Sequence, residues 1–274
     1  MKQPLWPCTL SEGIDAITAA ALGALQGLTE FLPVSSSGHV ALGSAFFGIR
    51  ENPLALTVLL HLGTLVATIL FLRADLAPLL TEFAHSARHP GRLRSTAGGR
   101  TLMAIGIATV ITVVLGPALL RTAEEFTENL RLIGLGFLVS AAFLLASGLM
   151  SGRRDEVAWW MAILVGLVQG VAVLPGVSRS GVTIATAMLL GVRGSEAFRF
   201  SFLISIPAII GAAGFEAAAS GELGELGGFA WIGGATALVT GYVALVILRN
   251  VIFVGRMWMF AFYLLPLGIY LVTR

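Results

Sequence analysis

The sequence predicts an all-α polytopic membrane protein, an inverted repeat in which each unit is a re-entrant helical hairpin followed by three transmembrane helices. Three observations predict this fold. The 274-residue chain is 57% hydrophobic and only 12% charged, whereas soluble domains carry about 25% charged residues. Two apolar stretches are interrupted by helix breakers before they are long enough to cross a bilayer. The second interrupted stretch also repeats the first.

Six apolar runs are predicted to cross the membrane as helices, and a crossing takes about 20 residues. They are residues 54–72, 101–120, 132–150, 197–217, 229–248 and 257–272. The charged segments between these runs, including 73–100 and 121–131, are predicted to be loops.

Two further apolar stretches are broken in the middle. The first covers 14–49 and is broken at Pro33, and the second covers 159–190 and is broken within 175–181. At about 1.5 Å per residue, the arms of these stretches are too short to span a bilayer. We therefore predict two re-entrant hairpins with tips at 34–38 and 175–181. Non-helical backbone at that depth must be covered by protein or line a wet cavity.

A shift of 143 positions aligns the two broken stretches without a gap, so that Gln26-Gly27 falls on Gln169-Gly170. Further identical pairs are Val34 and Val177, Ser35 and Ser178, Ser37 and Ser180, and Gly38 and Gly181. A re-entrant hairpin returns the chain to the side of the membrane from which it entered, whereas three spans carry the chain to the other side. The second hairpin therefore enters from the opposite face of the membrane. We predict one membrane domain over 1–274, with repeat units at 14–150 and 158–274.

The arginines predict the orientation of the chain, because positive residues accumulate on the cytoplasmic side. The side reached after the first span holds Arg73, Arg88, Arg92, Arg94, Arg100, Arg153, Arg154, Arg193, Arg199, Arg249 and Arg256. The opposite side holds most of the acidic residues. Both termini and the mouth of the first hairpin are therefore expected outside.

The second tip has the residues of an anion site. Arg179 can hold a phosphate through two parallel hydrogen bonds. The helix expected to start near Gly181 would aim its positive end at the tip. Backbone N–H groups and hydroxyls that can approach an anion come from Gly176, Ser178, Ser180, Gly181 and Thr183. The alternative is that Arg179 forms a purely structural ion pair with Glu30.

The first tip has the residues of a reacting group. Gln26 and Glu30 are four apart and share a helix face. Glu30 could act as a general base or hold a divalent ion. Ser36 is a candidate nucleophile, and His39 could be its base, an acid for the leaving group or itself the nucleophile. His39 could also simply face water. Gln26 and the hydroxyls beside Ser36, those of Ser35 and Ser37, are predicted to bind the phosphate of the substrate.

The spacing of these residues does not distinguish phosphoryl transfer from tight phosphate binding. Inverted repeats with broken helices are typical of transporters, so a transporter or flippase of a lipid phosphate or another anion is the alternative function. A scaffold protein is a third possible function, and it predicts that substitutions at the tips have no effect on function.

Both tips carry motifs that resemble those of a known family. The first reads Gln26-x-x-x-Glu30-Phe31-Leu32-Pro33-Val34-Ser35-Ser36-x-Gly38-His39, and the second reads Pro175-Gly176-Val177-Ser178-Arg179-Ser180-Gly181-x-Thr183. They resemble the two signatures of the bacterial undecaprenyl pyrophosphate phosphatases, the bacitracin-resistance family, and the resemblance covers essentially the whole chain.

The resemblance implies hydrolysis of undecaprenyl pyrophosphate to the monophosphate and inorganic phosphate, which recycles the lipid carrier of peptidoglycan synthesis. It implies that Glu30, Ser36, His39 and Arg179 are catalytic, with a divalent ion, Mg²⁺ or Ca²⁺, assisting. It also implies a multi-pass protein of the bacterial inner membrane whose active site faces the periplasm. No nucleic-acid partner is expected, and a homodimer is compatible with the sequence.

One departure from the family pattern concerns Gln26, where many members have a glutamate. The departure predicts that Gln26 forms hydrogen bonds and does not complete a metal site of two carboxylates.

Overall fold

The computed structural model describes residues 15–47, 54–150, 152–220 and 229–274, and these residues are almost entirely helical. The helices are α1 (Ala16–Phe31), α2 (Ser36–Phe47), α3 (Leu54–Phe71), α4 (Arg73–Arg88), α5 (Arg92–Ser95), α6 (Ala97–Ala118), α7 (Leu120–Glu128), α8 (Leu130–Ser147), α9 (Trp159–Val171), α10 (Arg179–Leu189), α11 (Gly194–Ser220), α12 (Ala230–Phe253), a 3₁₀ turn (Met257–Phe260) and α13 (Ala261–Thr273). The start of the first predicted repeat unit, at residue 14, lies outside the described residues.

Four helices are long and apolar enough to cross a membrane: α6, α8, α11 over Gly194–Gly214, and α12. A fifth candidate is the pair α3 and α4, which passes the same test together but bends by 83° between its two parts. The last predicted span, 257–272, forms a shorter apolar helix over Met257–Thr273. The all-α membrane class is thereby confirmed, with four or five candidate spans in the described residues.

The segments predicted to be loops at 73–100 and 121–131 are largely helical, so that prediction was wrong. A high charge content does not by itself indicate a loop, because charged side chains do not break a helix. In α4, apolar residues recur at helical spacing at Leu76, Leu79 and Phe83, which favours a helix with one apolar face.

Both predicted hairpins are broken where the prolines and glycines fall. Helix α1 ends at Phe31 because the residue before Pro33 is driven into an extended conformation, with ψ of 143° at Leu32. Helix α10 begins at Arg179, two residues before the predicted start. Ser178 is its N-cap, and the Ser178 hydroxyl accepts from the N–H of Gly181 at 3.2 Å.

Small residues let α1 and α3 pack closely on α12. A Cβ atom added at Gly23 would lie 2.2 Å from the carbonyl oxygen of Gly233, and one at Gly63 would lie 2.3 Å from that of Gly234. Such backbone contacts are the usual way in which membrane helices associate. They hold α1, and with it the first tip, in a fixed position.

Candidate active site

Ser35 joins the two helix breaks that were predicted to be hairpin tips. Its φ is +72°, a left-handed backbone that few residues other than glycine adopt. Its hydroxyl accepts from the N–H of Gly38 at 3.3 Å and from the N–H of Gly176, in the other repeat, at 3.1 Å. Gly176 has φ of +92°. Two unusual backbone conformations are thus fixed by one contact between the repeats.

Helix α8 supports the second tip from behind. The hydroxyl of Ser140 donates to the carbonyl of Gly176 at 3.2 Å and accepts from the N–H of Ser178 at 2.8 Å. A Cβ atom on Gly136 would lie 2.7 Å from the carbonyl oxygen of Pro175. Sequence reasoning missed Ser140, and the only available signal was a serine within an apolar run.

Glu30 is the centre of the polar cluster and is only 8% exposed. Its Oε2 accepts from the amide of Gln26 at 3.0 Å and from the hydroxyl of Ser36 at 2.7 Å. Its Oε1 accepts from Nη2 of Arg179, which forms an ion pair with it. Gln26 thus donates to the carboxylate, and Arg179 from the second broken stretch meets Glu30 from the first.

The Arg179 guanidinium keeps one nitrogen without a partner. Its Nη1 is buried and forms no hydrogen bond with any residue that the structure describes. An unsatisfied buried donor costs about 1–3 kcal/mol, and an arriving anion would remove that cost. Helix α10 begins at Arg179, so the positive end of its dipole also lies at this point.

The hydroxyls of the second tip are turned into the protein. Ser178, Ser180 and Thr183 are each at most 2% exposed. The Thr183 hydroxyl donates to the carbonyl of Arg179 at 2.7 Å. Its oxygen also lies 2.6 Å from the hydroxyl oxygen of Ser201. These residues, with Gly176 and Gly181, hold the backbone that carries the guanidinium, and their hydroxyls are not exposed to an arriving anion.

His39 faces Tyr263 and not Ser36. Its Nδ1 lies 2.8 Å from the carbonyl oxygen of Ser35, and its Nε2 lies 2.7 Å from the Tyr263 hydroxyl. A carbonyl only accepts, so Nδ1 carries the hydrogen, and in the neutral ring Nε2 accepts from the tyrosine. The two rings also stack, with centroids 5.6 Å apart. Ser37 is the exposed hydroxyl of this tip.

Tyr263 is the second residue that sequence reasoning missed. It comes from α13, more than two hundred positions after His39, and no motif surrounds it. A tyrosine at the start of a predicted span is usually an interfacial residue, so its contact with the candidate site required the fold.

The described residues do not fit a metal ion held by protein ligands alone. No group of three or more His, Cys, Asp or Glu side chains in the described part of the chain could hold one. Glu30 is the single carboxylate of the cluster, and both of its oxygens already accept hydrogen bonds. Mg²⁺ is usually held by one or two carboxylates together with substrate phosphates.

The arrangement suits phosphoryl transfer. A carboxylate accepts the hydrogen of a serine hydroxyl, as a general base must. A guanidinium with a free donor lies on the other side of the same carboxylate, where it can bind phosphate oxygens. Ser36 and His39 are half-buried, and Ser37 is exposed, so the cluster is accessible from one side.

Comparison with known proteins agrees with this geometry. The sequence profile of the family described as bacitracin resistance protein BacA matches residues 19–270. The chain belongs to this family. It is 36% identical over 262 residues to an undecaprenyl-diphosphatase of Korarchaeum cryptofilum, with 95% of this chain and 99% of the relative covered. An undecaprenyl-diphosphatase of Desulfosudis oleivorans is 38% identical over 274 residues, covering 93% and 97%. One of Rubrobacter xylanophilus is 39% identical over 244 residues, covering 85% and 88%.

Proposed function

We propose that this protein is an integral membrane phosphatase that hydrolyses undecaprenyl pyrophosphate to undecaprenyl phosphate and inorganic phosphate. The observation that carries the proposal is that Glu30 contacts both Ser36 and Arg179, one from each hairpin. Relatives that match nearly the full chain are named as undecaprenyl-diphosphatases. These names favour hydrolysis over the alternative of transport.

The geometry favours Ser36 as the nucleophile over His39. The lone pair of His39 Nε2 is already occupied by Tyr263, whereas the Ser36 hydroxyl points at a carboxylate. In the proposed step, the Ser36 oxygen attacks the terminal phosphorus and Glu30 takes the hydroxyl proton. The bond from that phosphorus to the bridging oxygen breaks, and undecaprenyl phosphate leaves. Water then hydrolyses the phosphoserine and restores Ser36.

Arg179 is proposed to stabilise the negative charge that develops on the transferred phosphoryl group. Its unpartnered Nη1 provides a fixed donor, and donors that need no reorganisation are the largest electrostatic contribution to many enzymes. We assign His39, one helical turn after Ser36, to proton transfer with water or the leaving phosphate. Gln26 orients the Glu30 carboxylate.

We propose that a divalent cation, Mg²⁺ or Ca²⁺, enters with the substrate, because its phosphates supply the ligands that the protein lacks. Magnesium titrated into the protein alone is expected to give no binding heat, whereas titration with a non-hydrolysable pyrophosphate analogue is expected to give a clear isotherm. Tight binding of magnesium to the free protein would contradict this.

We further propose six spans and two re-entrant hairpins within one domain over 1–274, with inverted units at 14–150 and 158–274. The match of the two broken stretches and the contact of their tips support this architecture. The arginine distribution supports a bacterial inner-membrane protein with its active site towards the periplasm and both termini outside. A homodimer is compatible with it.

The function is tested by phosphate release from undecaprenyl pyrophosphate in detergent, where no two compartments exist between which to transport. The wild type is expected to release phosphate. The rate of phosphate release by Ser36→Ala is expected to be at least about 100-fold lower, because this variant lacks the proposed nucleophile. The matched control is Ser37→Ala, the exposed neighbour, which is expected to keep most of the rate. No release by the wild type would contradict the proposal, and full activity of Ser36→Ala would remove this serine from it.

A further inference from the structure

A largely apolar groove lies beside the candidate active site, where the end of α12 meets the 3₁₀ turn and the start of α13. Its volume is about 520 Å³, which falls within the roughly 300–1,000 Å³ of typical ligand pockets. Val251 and Phe260 are half-buried in its lining, whereas Val254 and Met259 are exposed. Tyr263 also lines the groove.

The groove opens on the outer surface of the helical bundle. Helix α12 packs against α1 and α3, whereas α13 packs against α8. The two helices that border the groove therefore belong to different packing units, and the space between them is not filled. Val254 is 66% exposed and Met259 is 50% exposed, and in a membrane such side chains face acyl chains and not water.

Tyr263 connects the groove to the polar cluster. The residue lines the groove, and its hydroxyl lies 2.7 Å from Nε2 of His39. The apolar lining therefore begins at a residue that contacts His39, one of the proposed catalytic groups. Asn250 and Arg256 also line the groove, and its other side chains are apolar apart from the Tyr263 hydroxyl.

We propose that this groove binds the part of the isoprenoid chain nearest to the diphosphate, and that Tyr263 lies at the boundary between chain and headgroup. This inference rests on the proposed function, because it takes the polar cluster as the diphosphate site. A lipid diphosphate whose head reacts inside the protein needs an apolar path that begins at that site and opens laterally. Tyr263 links the groove to the cluster, and the exposed Val254 and Met259 leave the groove open on the surface that faces lipid in a membrane.

The test compares two probes that differ only in chain length, with the protein in nanodiscs. Farnesyl diphosphate has three isoprene units, and dimethylallyl diphosphate has one. Val254→Trp, which fills the groove, is expected to lower kcat/KM for farnesyl diphosphate at least about tenfold relative to dimethylallyl diphosphate, because lost apolar contacts are worth at least this factor. Val243→Trp is the matched control: it is 48% exposed on the same helix, lies outside the groove, and is expected to leave the ratio unchanged.

The outcomes separate the two proposals. If the wild type cleaves neither probe nor undecaprenyl pyrophosphate, the proposed function fails. If the wild type is active but Val254→Trp changes kcat/KM equally for both probes, or for neither, the groove holds ordinary bilayer lipid only. This inference is then overturned.

Photolabelling of the wild type gives a readout that does not depend on a folded variant. A farnesyl diphosphate analogue with a benzophenone at the end of its chain is expected to label peptides within 250–263, and excess undecaprenyl pyrophosphate is expected to suppress the label. Labelling confined to other helices would overturn the assignment.

Discussion

At the scale of single residues, the side chains of the first tip form two separate hydrogen-bonded pairs. Glu30 accepts a hydrogen bond from the Ser36 hydroxyl, whereas Nε2 of His39 is hydrogen-bonded to the Tyr263 hydroxyl. This division supports the proposed assignment of Ser36 as nucleophile and Glu30 as its base, with His39 in a separate hydrogen-bonded pair. The motif alone left both Ser36 and His39 open as nucleophiles, because a chain position does not reveal which acceptor a hydroxyl points to.

Tyr263→Phe tests the second pair. Loss of a neutral hydrogen bond worth about 0.5–1.5 kcal/mol predicts a fall in kcat of up to about tenfold. Without the tyrosine hydroxyl, the His39 ring loses the contact that fixes its Nε2, so kcat is expected to fall while KM stays the same. A tyrosine that does not position His39 would leave kcat unchanged.

The matched control for this prediction is Tyr270→Phe. Tyr270 lies on the same helix, is 53% exposed and stacks with Arg274. Replacement of Tyr270 by phenylalanine is expected to leave kcat and KM unchanged.

At the scale of elements, the segment predicted to be a loop at 73–100 is a folded helical unit. Glu82 on α4 forms an ion pair with Arg92 on α5 at 2.8 Å and accepts from the Thr96 hydroxyl, the N-cap of α6, at 2.8 Å. One carboxylate thus ties three helices together. The sequence predicted the helix breaks at Pro33 and within 175–181 correctly, because proline and glycine act on the local backbone. The helical structure of 73–100 could not be predicted in the same way, because it includes ion pairs between helices.

The hydrogen bonds from Arg92 and then Thr96 lower the pKa of Glu82 from its ordinary value of 4.5 to about 2. A lowered carboxyl pKa contributes stability that is fully present above about pH 4.5 and is lost as the pH falls towards 2. Thermal unfolding in detergent is therefore expected to show Glu82→Gln less stable than the wild type near neutral pH, with the difference shrinking between pH 4.5 and pH 2. The control is Glu124→Gln on α7, an exposed acid without an ion pair in the described residues. A difference that does not depend on pH would contradict this role.

At the scale of the whole molecule, the repeat was the most informative feature of the sequence. The shift that aligns Gln26 with Gln169 also marks where the halves differ, with Glu30 in one and Arg179 in the other, and the structure brings these two side chains together. The sequence could not predict the supports from α8 or the contact from α13. Ser140 and Tyr263 are single polar residues in apolar runs, and only packing shows what they touch.

The proposed topology predicts which positions are accessible from each side of the membrane. In a Cys8→Ser background, Ser37→Cys at the first tip is expected to react with an impermeant maleimide added to intact cells. Arg94→Cys, on the arginine-rich side, is expected to react only after the membrane is opened. Labelling of Arg94→Cys in intact cells would reverse the proposed orientation.

Glu30 and Arg179, one from each proposed repeat, are proposed to act as a single catalytic unit. A double-mutant cycle of the phosphate-release rate on undecaprenyl pyrophosphate, with Glu30→Gln, Arg179→Gln and both together, tests it most directly. Each single change is expected to lower the rate at least about 100-fold, and the double variant is expected to be little slower than either, because residues that act as a unit are strongly non-additive. Single variants with the wild-type rate, or losses that simply multiply in the double variant, would contradict the account.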